Sequence, residues 1–263
     1  MRPVTAAHIE VRAVGKQWLT RDQPVPALEA ISLDIAPQEF LTVLGPSGCG
    51  KSTLLSIIGG LATPDSGDVR IAGRPVTGPD PRQVAMVFQD PGLFPWRTAQ
   101  ENVEFGLELQ RVPAATRREQ ARALLDRVGL HEFEARYPRE LSGGMKQRVA
   151  IARALALETP ILLMDEPFGA LDEQTRLLMG EWLLDIWARA RKTVVFVTHS
   201  LQEAILLSQR IVVMTARPGR IKASFEVSLQ TPRDLDAAPA AALRHALWGA
   251  IRDESRRALD GAA

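Results

Sequence analysis

A stretch of nine residues near the start of the chain, Gly45 to Thr53, constrains the fold more than any other. It follows the apolar run Phe40–Leu44. Its residues are, in order, Gly45, Pro46, Ser47, Gly48, Cys49, Gly50, Lys51, Ser52 and Thr53. The pattern G-x-x-x-x-G-K-S between a strand and a helix points backbone N–H groups into one concavity, where the helix N-terminus adds partial positive charge. The sequence therefore predicts an α/β fold with a polyphosphate site in this loop.

Two side chains of the loop are expected to act on the ligand directly. Lys51 would reach the β and γ phosphates of a bound nucleotide, and the Ser52 hydroxyl would hold Mg²⁺. The alternative is a chance glycine- and serine-rich turn between a strand and a helix. The remaining motifs have to decide between the two interpretations.

Composition and charge are those of an ordinary globular chain. Of 263 residues, 46% are hydrophobic and 24% charged, and the net charge of +1 gives no overall field that favours nucleic acid. No uncharged apolar run approaches the ~20 residues of a membrane span, and Met1 to Glu10 lacks the form of a signal peptide. The single cysteine, Cys49, suits a reducing compartment. We expect the chain to stay in the cytoplasm.

The segment before the loop is expected to form β structure. His8 to Val14 and Leu28 to Ile35 alternate between apolar and polar residues, with a predicted loop between them. Trp18 falls in that loop. Its indole offers a flat face on which an adenine could stack. Core packing or simple surface exposure is an equal alternative.

Residues 90–158 are predicted to form a helical insertion in the α/β core. The insertion follows a predicted buried strand, Val84 to Phe88, which ends on Gln89. Two segments within it, Thr98 to Glu101 and Thr116 to Glu119, match the capping box that opens a helix. After the second box, Ala121, Leu124, Leu125 and Val128 recur on one helix face, which supports the prediction.

A second glycine-rich helix start closes the insertion. Ser142 is a good N-cap for a helix that runs to about Leu157. A capped helix leaves Gly143 and Gly144 unexplained, because glycine in a first turn costs stability. They are explained if a ligand must approach the backbone closely, so this is a second candidate anion site.

Carboxylates follow the next buried strand. Ile161 to Met164 is an unbroken apolar run that ends in Asp165 and Glu166, where α/β folds bind ligands. Asp165 would bind Mg²⁺ through water, and Glu166 would orient or deprotonate the attacking water. A turn that caps the next helix is compatible with both roles. Another buried strand, Val194 to Thr198, delivers His199 to the same edge, although a lone histidine is usually structural.

Taken together, these motifs resemble those of an ATP-binding cassette (ABC) ATPase. The matching segments are, in order, Gly45 to Thr53, Gln89, Leu141 to Arg148, Ile161 to Glu166, Leu171-Asp172 and His199. The resemblance implies a P-loop NTPase (RecA-like) core with an N-terminal antiparallel β subdomain and an inserted α-helical signature subdomain. It also implies hydrolysis of ATP with Mg²⁺.

The resemblance assigns roles within one chain. Gln89 matches the loop glutamine that touches Mg²⁺ and couples to a membrane subunit, and His199 matches the γ-phosphate switch. Trp18 matches the aromatic residue that stacks on adenine, although Tyr is more common there.

The resemblance also implies a homodimer arranged head to tail. Ser142 and Gly144, with Gly143 between them, match the signature that grips the γ-phosphate of ATP bound to the opposite protomer. Asp172 matches the loop that links the two sites. Met145 replaces the usual signature glutamine, while the serine and glycines remain.

Two short segments indicate which group of ATPases within the family the chain resembles most. Leu93 to Thr98 and Ala216 to Ile221 look like the ATPases of nitrate, sulfonate and taurine importers. Such ATPases work with two integral-membrane permease subunits and an extracytoplasmic substrate-binding protein, at the cytoplasmic face of the membrane as peripheral subunits. The alternatives are a soluble ATPase of cofactor assembly and an exporter ATPase, but exporters usually fuse the membrane domain to the cassette. Phe94, Pro95 and Trp96 would form an apolar socket for a partner helix, or pack inside the insertion.

The predicted organisation is one ATPase domain followed by a tail. The domain spans 1–225, with a core of 1–89 and 159–225 and the helical subdomain at 90–158. The tail, 226–263, shows little sign of chemistry. Leu243, Leu247 and Ile251 mark an amphipathic helix in it.

Overall fold

The computed structural model of the chain describes residues 8–19 and 23–260. Most of the segment searched for a signal peptide, Met1 to Ala7, lies outside these ranges. Among the described residues, none of the helices combines the length and the apolar character that a membrane span needs. The regular structure consists of two β-sheets and the helices packed around them.

The strands build one antiparallel and one mainly parallel sheet. In chain order the strands of the described residues are β1 Ile9–Leu19, β2 Pro24–Ile35, β3 Phe40–Leu44, β4 Ser66–Ile71, β5 Arg74–Pro75, β6 Val84–Val87, β7 Ile161–Asp165, β8 Thr193–Thr198, β9 Arg210–Met214 and β10 Ile221–Glu226. The antiparallel sheet has the order β2-β1-β4-β5, and the core sheet has the order β10-β9-β3-β8-β7-β6. All neighbours in the core sheet are parallel except β10, which pairs with β9 antiparallel at one edge.

The helices fill the connections between strands. In chain order the α-helices of the described residues are α1 Lys51–Ile58, α2 Ala99–Leu109, α3 Ala114–Arg127, α4 Gly143–Ala156, α5 Glu173–Ala190, α6 Leu201–Leu207 and α7 Ala238–Asp260. Helices α2, α3 and α4 lie between β6 and β7 in the chain and pack on one another. The helical insertion and the tail helix predicted from the sequence are therefore both present.

The core sheet is covered on both faces, as its apolar strands require. Leu41 and Val43 of β3 pack with the antiparallel sheet and α1, whereas Phe40 packs with the residues of α2 to α5. The tail helix packs on α6 and β9 through Leu247 and Ile251, which are buried. Burial on both faces holds the carboxyl ends of the parallel strands in fixed positions, and the loops that follow them share one edge.

Trp18 lies in a strand, and the prediction that places it in a loop is wrong. Strand β1 continues to Leu19 because its pairing with β2 extends from Ile9 opposite Ile35 to Leu19 opposite Pro24. The prolines that suggested a loop are tolerated because β2 is an edge strand of its sheet. The register between β1 and β2 shifts at several points between Val11 and Gln17, and these shifts accommodate the irregular middle of β1.

One of the two predicted capping boxes is wrong. Thr98 caps α2 as expected, since its side chain accepts from the Glu101 N–H and the Glu101 carboxylate accepts from the Thr98 N–H. Helix α3 instead begins at Ala114, with Pro113 as the N-cap. The Arg117 N–H already donates to the Pro113 carbonyl, so Thr116 lies inside the first turn. Strand β6 also ends one residue early, at Val87 rather than Phe88.

Candidate nucleotide-binding site

The glycine-rich loop connects β3 to α1 as the sequence predicts. All five residues of β3 are buried, and Gly50 precedes the helix with a left-handed φ of 99°. A Cβ atom added at Gly50 would lie 2.7 Å from the Ala27 carbonyl oxygen. Strand β2 therefore packs directly against the loop, and only glycine combines this backbone conformation with this contact.

The Lys51 ammonium is held inside the loop. The side chain is only 4% exposed. Its Nζ atom donates to the carbonyl oxygens of Gly45 and Pro46, both at 2.9 Å, and lies 3.7 Å from Oε1 of Glu166. A cation in this position can interact with phosphate oxygens that enter the concavity of the loop.

Asp165, the last residue of β7, carries the features of a metal ligand. Its carboxylate is buried, and no described residue hydrogen-bonds to its Oδ1 atom. Burial raises the pKa of Asp165, against a hydrogen bond with Ser52 and the charge of Lys51, which lower it. A buried carboxylate oxygen without a partner is costly, and beside a serine hydroxyl it has the hard oxygen chemistry that Mg²⁺ prefers. Two of the three residues predicted to hold Mg²⁺, Ser52 and Asp165, therefore fit it.

Glu166 connects the strand end to His199. Its Oε2 atom lies 3.0 Å from Nδ1 of His199, which follows β8. The backbone of Glu166 is left-handed, with φ 44°, and its N–H donates to the Val197 carbonyl at 2.9 Å. Such strained non-glycine residues cluster at functional sites, where the surrounding structure holds them in place. The carboxylate is thereby aimed at both Lys51 and His199.

Lys51 and Glu166 line a pocket of about 430 Å³, whereas Asp165 and His199 are not among its lining residues. Its lining includes Ser47, Gly48, Gly50, Lys51, Ser52, Thr53, Gln89, Glu166, Trp18, Val25, Ala27 and Arg217. The Trp18 indole N–H donates to the Thr53 hydroxyl at 3.2 Å, and the ring is 46% exposed. The indole therefore lies partly exposed beside the phosphate loop, and its stacking on an adenine stays a prediction. Gln89 reaches the pocket from the irregular segment after β6.

The predicted signature residues do not join this pocket. Within the described residues, its lining contains neither Ser142 nor the two glycines after it. Ser142 caps α4, since its Oγ atom accepts from the Met145 N–H at 3.3 Å. A Cβ atom at Gly144 would lie 3.1 Å from Leu171 and 3.3 Å from the Ala170 carbonyl oxygen. Close packing against the loop before α5 thus explains Gly144 in part without any ligand.

Asp172 is likewise absent from the residues that line the pocket. It is exposed at the start of α5, where its carboxylate accepts from the N–H and the hydroxyl of Thr175 at 2.9 and 2.7 Å. Hydrogen bonds from Thr175 lower the pKa of Asp172. Ser142 and Asp172 therefore both lie outside the pocket formed by their own chain.

Comparison with known proteins identifies the family. A family profile described as "ABC transporter" matches residues 28–169. This chain belongs to the ABC transporter family. The predicted fold class is confirmed, and the chain is an ATPase that binds ATP.

Several relatives match this ABC ATPase over most of its length. An uncharacterized ABC transporter ATP-binding protein of Methanocaldococcus jannaschii is 51% identical over 95% of this chain and 94% of its own. A nitrate import ATP-binding protein of Synechocystis sp. is 47% identical over 86% of each chain. A taurine import ATP-binding protein of Chromobacterium violaceum is 50% identical over 84% of this chain and 82% of its own.

A solved structure has the same fold. It is the dimeric structure of a post-hydrolysis state of an ATP-binding cassette bound to ADP and Pi. The TM-score is 0.78 and the sequence identity 35%, and the match covers 83% of this chain and 98% of the other.

Arg217 also lines the pocket of this ABC ATPase. None of the sequence motifs identified it as a site residue. Its Nε atom donates to the Gly48 carbonyl at 3.3 Å. The segment Ala216 to Ile221 is noted in the sequence only for its likeness to importer ATPases. Only the fold brings it against the phosphate loop, because β9, which precedes it, is the parallel neighbour of β3.

Proposed function

We propose that this chain is the ATP-hydrolysing subunit of an importer for a small anion or organic compound of the nitrate, sulfonate or taurine kind. It works as a head-to-tail homodimer at the cytoplasmic face of the membrane, with two integral-membrane permease subunits and an extracytoplasmic substrate-binding protein. The observation that carries the proposal is the placement of Glu166 between Lys51 and His199, beside the phosphate loop.

Glu166 has the surroundings of a residue that positions or deprotonates water. Its side chain is 15% exposed, so it faces the pocket without being fully hydrated. His199 holds one carboxylate oxygen and the other faces Lys51, which fixes the direction of the carboxylate. General-base assistance of this kind contributes about 10²–10⁴ in rate. His199 is 58% exposed, so its ring can also reach a γ-phosphate.

Ser52, Asp165 and Gln89 would hold the metal ion. The unpartnered Oδ1 atom of Asp165 supports this assignment most strongly. When bound, Mg²⁺ neutralises charge that develops on the phosphate oxygens. The chain contributes the oxygen ligands and the buried position of Asp165. Trp18 stacks on the adenine, and the backbone N–H groups of the loop cradle the phosphates.

The dimer is supported by the absence of the predicted signature residues from the described lining of the pocket. Ser142, Gly143 and Gly144 form an exposed helix start, and no described residue of the pocket belongs to it. A second protomer that presents this helix start, together with its Asp172, would complete the site. The relative solved with ADP and Pi is dimeric.

The importer assignment is supported by the names of the relatives and by the surface near Gln89. The nitrate and taurine import proteins match most of the chain. Trp96 is 70% exposed, while Phe94 packs edge-on against Phe105 at 4.6 Å. Phe94 thus stabilises the insertion and Trp96 is left for a permease helix. The proposed division remains a core of 1–89 and 159–225, a helical subdomain of 90–158 and a tail of 226–263.

The experiment that tests the proposal uses Glu166→Gln. This variant keeps the pocket but cannot accept a proton from water, so we expect ATP binding, a stable closed dimer and hydrolysis lowered about 10²- to 10⁴-fold. Tagged Glu166→Gln is purified with MgATP from detergent-solubilised membranes, and mass spectrometry identifies what is retained. The expected result is a separate multi-span membrane subunit.

Two control variants make the result specific. Lys51→Ala removes the phosphate ligand and should neither bind ATP tightly nor hydrolyse it. Glu173→Gln changes an exposed glutamate at the start of α5 and should behave as the unmodified chain. Retention of soluble proteins alone would contradict the importer and favour cofactor assembly. Rapid hydrolysis by Glu166→Gln would contradict the role of Glu166.

A further inference from the structure

The tail helix α7 contains a buried carboxylate that no role assigned so far uses. The side chain of Glu254 is 3% exposed. It accepts from the Ala216 N–H at 3.0 Å and from the Lys222 ammonium at 2.7 Å, and Arg257 lies 3.4 Å away. Burial raises the pKa of Glu254, but the hydrogen bonds from Lys222 and Ala216 outweigh it, so the net pKa is lowered. The carboxylate is therefore held ionised against the segment that follows β9.

That segment, Thr215 to Arg220, forms a closed loop that we call the bridging loop. The N–H of Thr215 donates to the Arg220 carbonyl at 2.9 Å, and the Thr215 hydroxyl donates to the Pro218 carbonyl at 3.0 Å. Gly219 is packed so closely that a side chain there would collide with the Cys49 carbonyl oxygen. Hydrogen bonds thus close the bridging loop on itself, and Gly219 places it directly on the phosphate loop.

Arg217 extends from the bridging loop to the phosphate loop. Its donation to the Gly48 carbonyl, at 3.3 Å, is a contact between these two loops. A cavity of about 550 Å³, lined by Ser47, Gly48, Arg217, Glu254 and Arg257 among others, separates α7 from the phosphate loop. The contacts that connect α7 to Gly48 therefore pass through the bridging loop.

We propose that Glu254 and Arg217 are positioning residues of the nucleotide site: Glu254 fixes the bridging loop from α7, and Arg217 fixes the orientation of the Gly48 carbonyl. The inference rests on the proposed function, because it takes Gly45 to Thr53 as the phosphate-binding loop.

The orientation of the Gly48 carbonyl matters because of its partial negative charge. Gly48 has a left-handed φ of 75°, and glycine can exchange this conformation for others at little cost. A carbonyl turned into the concavity would repel phosphate oxygens, whereas one held by Arg217 leaves the cavity to N–H donors. The guanidinium also adds positive charge at the rim of the pocket, where Arg217 is exposed.

The test measures the dissociation constant for MgADP by titration calorimetry, with the full chain. Arg217→Ala should raise this constant about five- to tenfold, the loss expected for a charge-assisted hydrogen bond and a nearby cation. Glu254→Gln keeps the shape of the side chain but weakens its hold on Ala216 and Lys222, so we expect a smaller increase. Because both changes act on nucleotide binding, KM for ATP should rise more than kcat falls. Glu254→Asp should restore part of the affinity.

Controls separate positioning from general stability. Asp253→Asn alters the adjacent carboxylate on α7, which is exposed and contacts Arg252, and should leave the constant unchanged. If Glu254 acts through Arg217, the double variant Arg217→Ala/Glu254→Gln should bind MgADP no more weakly than Arg217→Ala alone. A purely structural role would lower the melting temperature of Glu254→Gln with no change in the constant, and would overturn the inference.

Lys51→Ala distinguishes failure of the inference from failure of the proposed site. If Lys51→Ala loses binding while Arg217→Ala binds within twofold of the unmodified chain, the inference alone is overturned. If Lys51→Ala also binds normally, the phosphate-loop assignment fails and the inference fails with it. Effects of Arg217→Ala and Glu254→Gln that multiply in the double variant would show independent action and would also overturn it.

Discussion

Adjacent carboxylates at the end of β7 have opposite surroundings. Asp165 is buried with one oxygen unpartnered by any described residue, whereas Glu166 is paired with His199 and faces Lys51. The change occurs within one residue because Glu166 leaves the strand in a left-handed conformation. The Asp165 carboxylate thus points into the fold, and the Glu166 carboxylate points into the pocket.

The buried charge of Asp165 should cost stability in the nucleotide-free chain. Burial raises its pKa, so the folded chain binds a proton more readily than the unfolded chain; the cost is present above the raised pKa and disappears as the pH falls below the unfolded value. Asp165→Asn removes the charge at nearly constant volume. We expect it to raise the free energy of unfolding at neutral pH by about 0.5–2 kcal/mol and to abolish hydrolysis that depends on Mg²⁺.

Urea unfolding without nucleotide or metal checks the first part, and an ATPase assay across Mg²⁺ concentrations checks the second. Asp172→Asn is a suitable control, because that carboxylate is exposed and its pKa is lowered rather than raised. A variant less stable than the unmodified chain would contradict the cost assigned to Asp165.

Helix α4, which begins with the predicted signature glycines, is connected to the core sheet by a segment that a buried lysine holds. The Lys192 ammonium, which precedes β8, donates to the carbonyl oxygens of Leu157 and Thr159 at 3.1 and 2.6 Å. These carbonyls belong to the segment that leads from α4 to β7. Lys192 therefore sets how the helical insertion returns to the sheet.

Because of Lys192, the free energy of unfolding should rise with pH in the alkaline range. Desolvation lowers the pKa of Lys192 to about 8, against the charge of Glu158. Between about pH 8 and its unfolded value, the unfolded chain binds the proton more tightly, so stability rises with pH in this window. Compared with Lys192→Met, the unmodified chain should gain up to about 3 kcal/mol from pH 7.5 to 10.5. Urea unfolding of both chains across this range is the measurement, and parallel stability curves would contradict the burial cost.

The sequence predicted best those elements whose signals are local. The motifs place Asp165, Glu166 and His199 at strand ends and Lys51 at the start of the helix that follows β3, and the parallel sheet then brings these segments together. A four-residue capping pattern is weaker evidence, because it also occurs inside helices, as at Thr116. Trp18 was misplaced because the prolines of β2 are compatible with an edge strand, and edge position is decided by tertiary structure.

Contacts between segments that are distant in the chain could not be predicted from the sequence. Arg217 and Glu254 show no pattern of their own, and the tail was expected to carry little chemistry. The contacts of Glu254 with the segment that carries Arg217 depend on the packing of α7 against α6 and β9. No spacing within one segment encodes such an arrangement.

At the scale of the whole molecule, the candidate site is divided between two surfaces of the chain. The phosphate loop, Asp165 and Glu166 lie at one edge of the core sheet, while Ser142 and Asp172 are exposed outside the pocket of that edge. A head-to-tail pair with twofold symmetry would bring each surface against its counterpart and form two equal sites.

Complementation between two inactive variants tests this division. Lys51→Ala disables the phosphate loop of its own chain, and Ser142→Arg disables the signature that it offers to a partner. Each alone should be inactive. Mixed in equal amounts, they should recover about a quarter of the activity, because half of randomly paired dimers are mixed and each has one intact site. ATPase activity against mixing ratio is the measurement.

Mixing Lys51→Ala with Glu166→Gln is the matched control. Both changes lie on the phosphate-loop side of the site, so no mixed dimer contains an intact site and no activity should return. Recovery in this control, or its absence in the first mixture, would contradict a shared site.

The order of strands in the core sheet also constrains how the protein is made. Strand β3, which carries the phosphate loop, ends at Leu44, but its neighbours β8 and β9 begin only at Thr193 and Arg210. At a translation rate of roughly 5–20 residues per second, the strand waits on the order of ten seconds for a partner. During that time its apolar residues have no sheet to join. We therefore expect β3 to remain without strand partners on the nascent chain, and the nucleotide site to form only after most of the polypeptide has been synthesised.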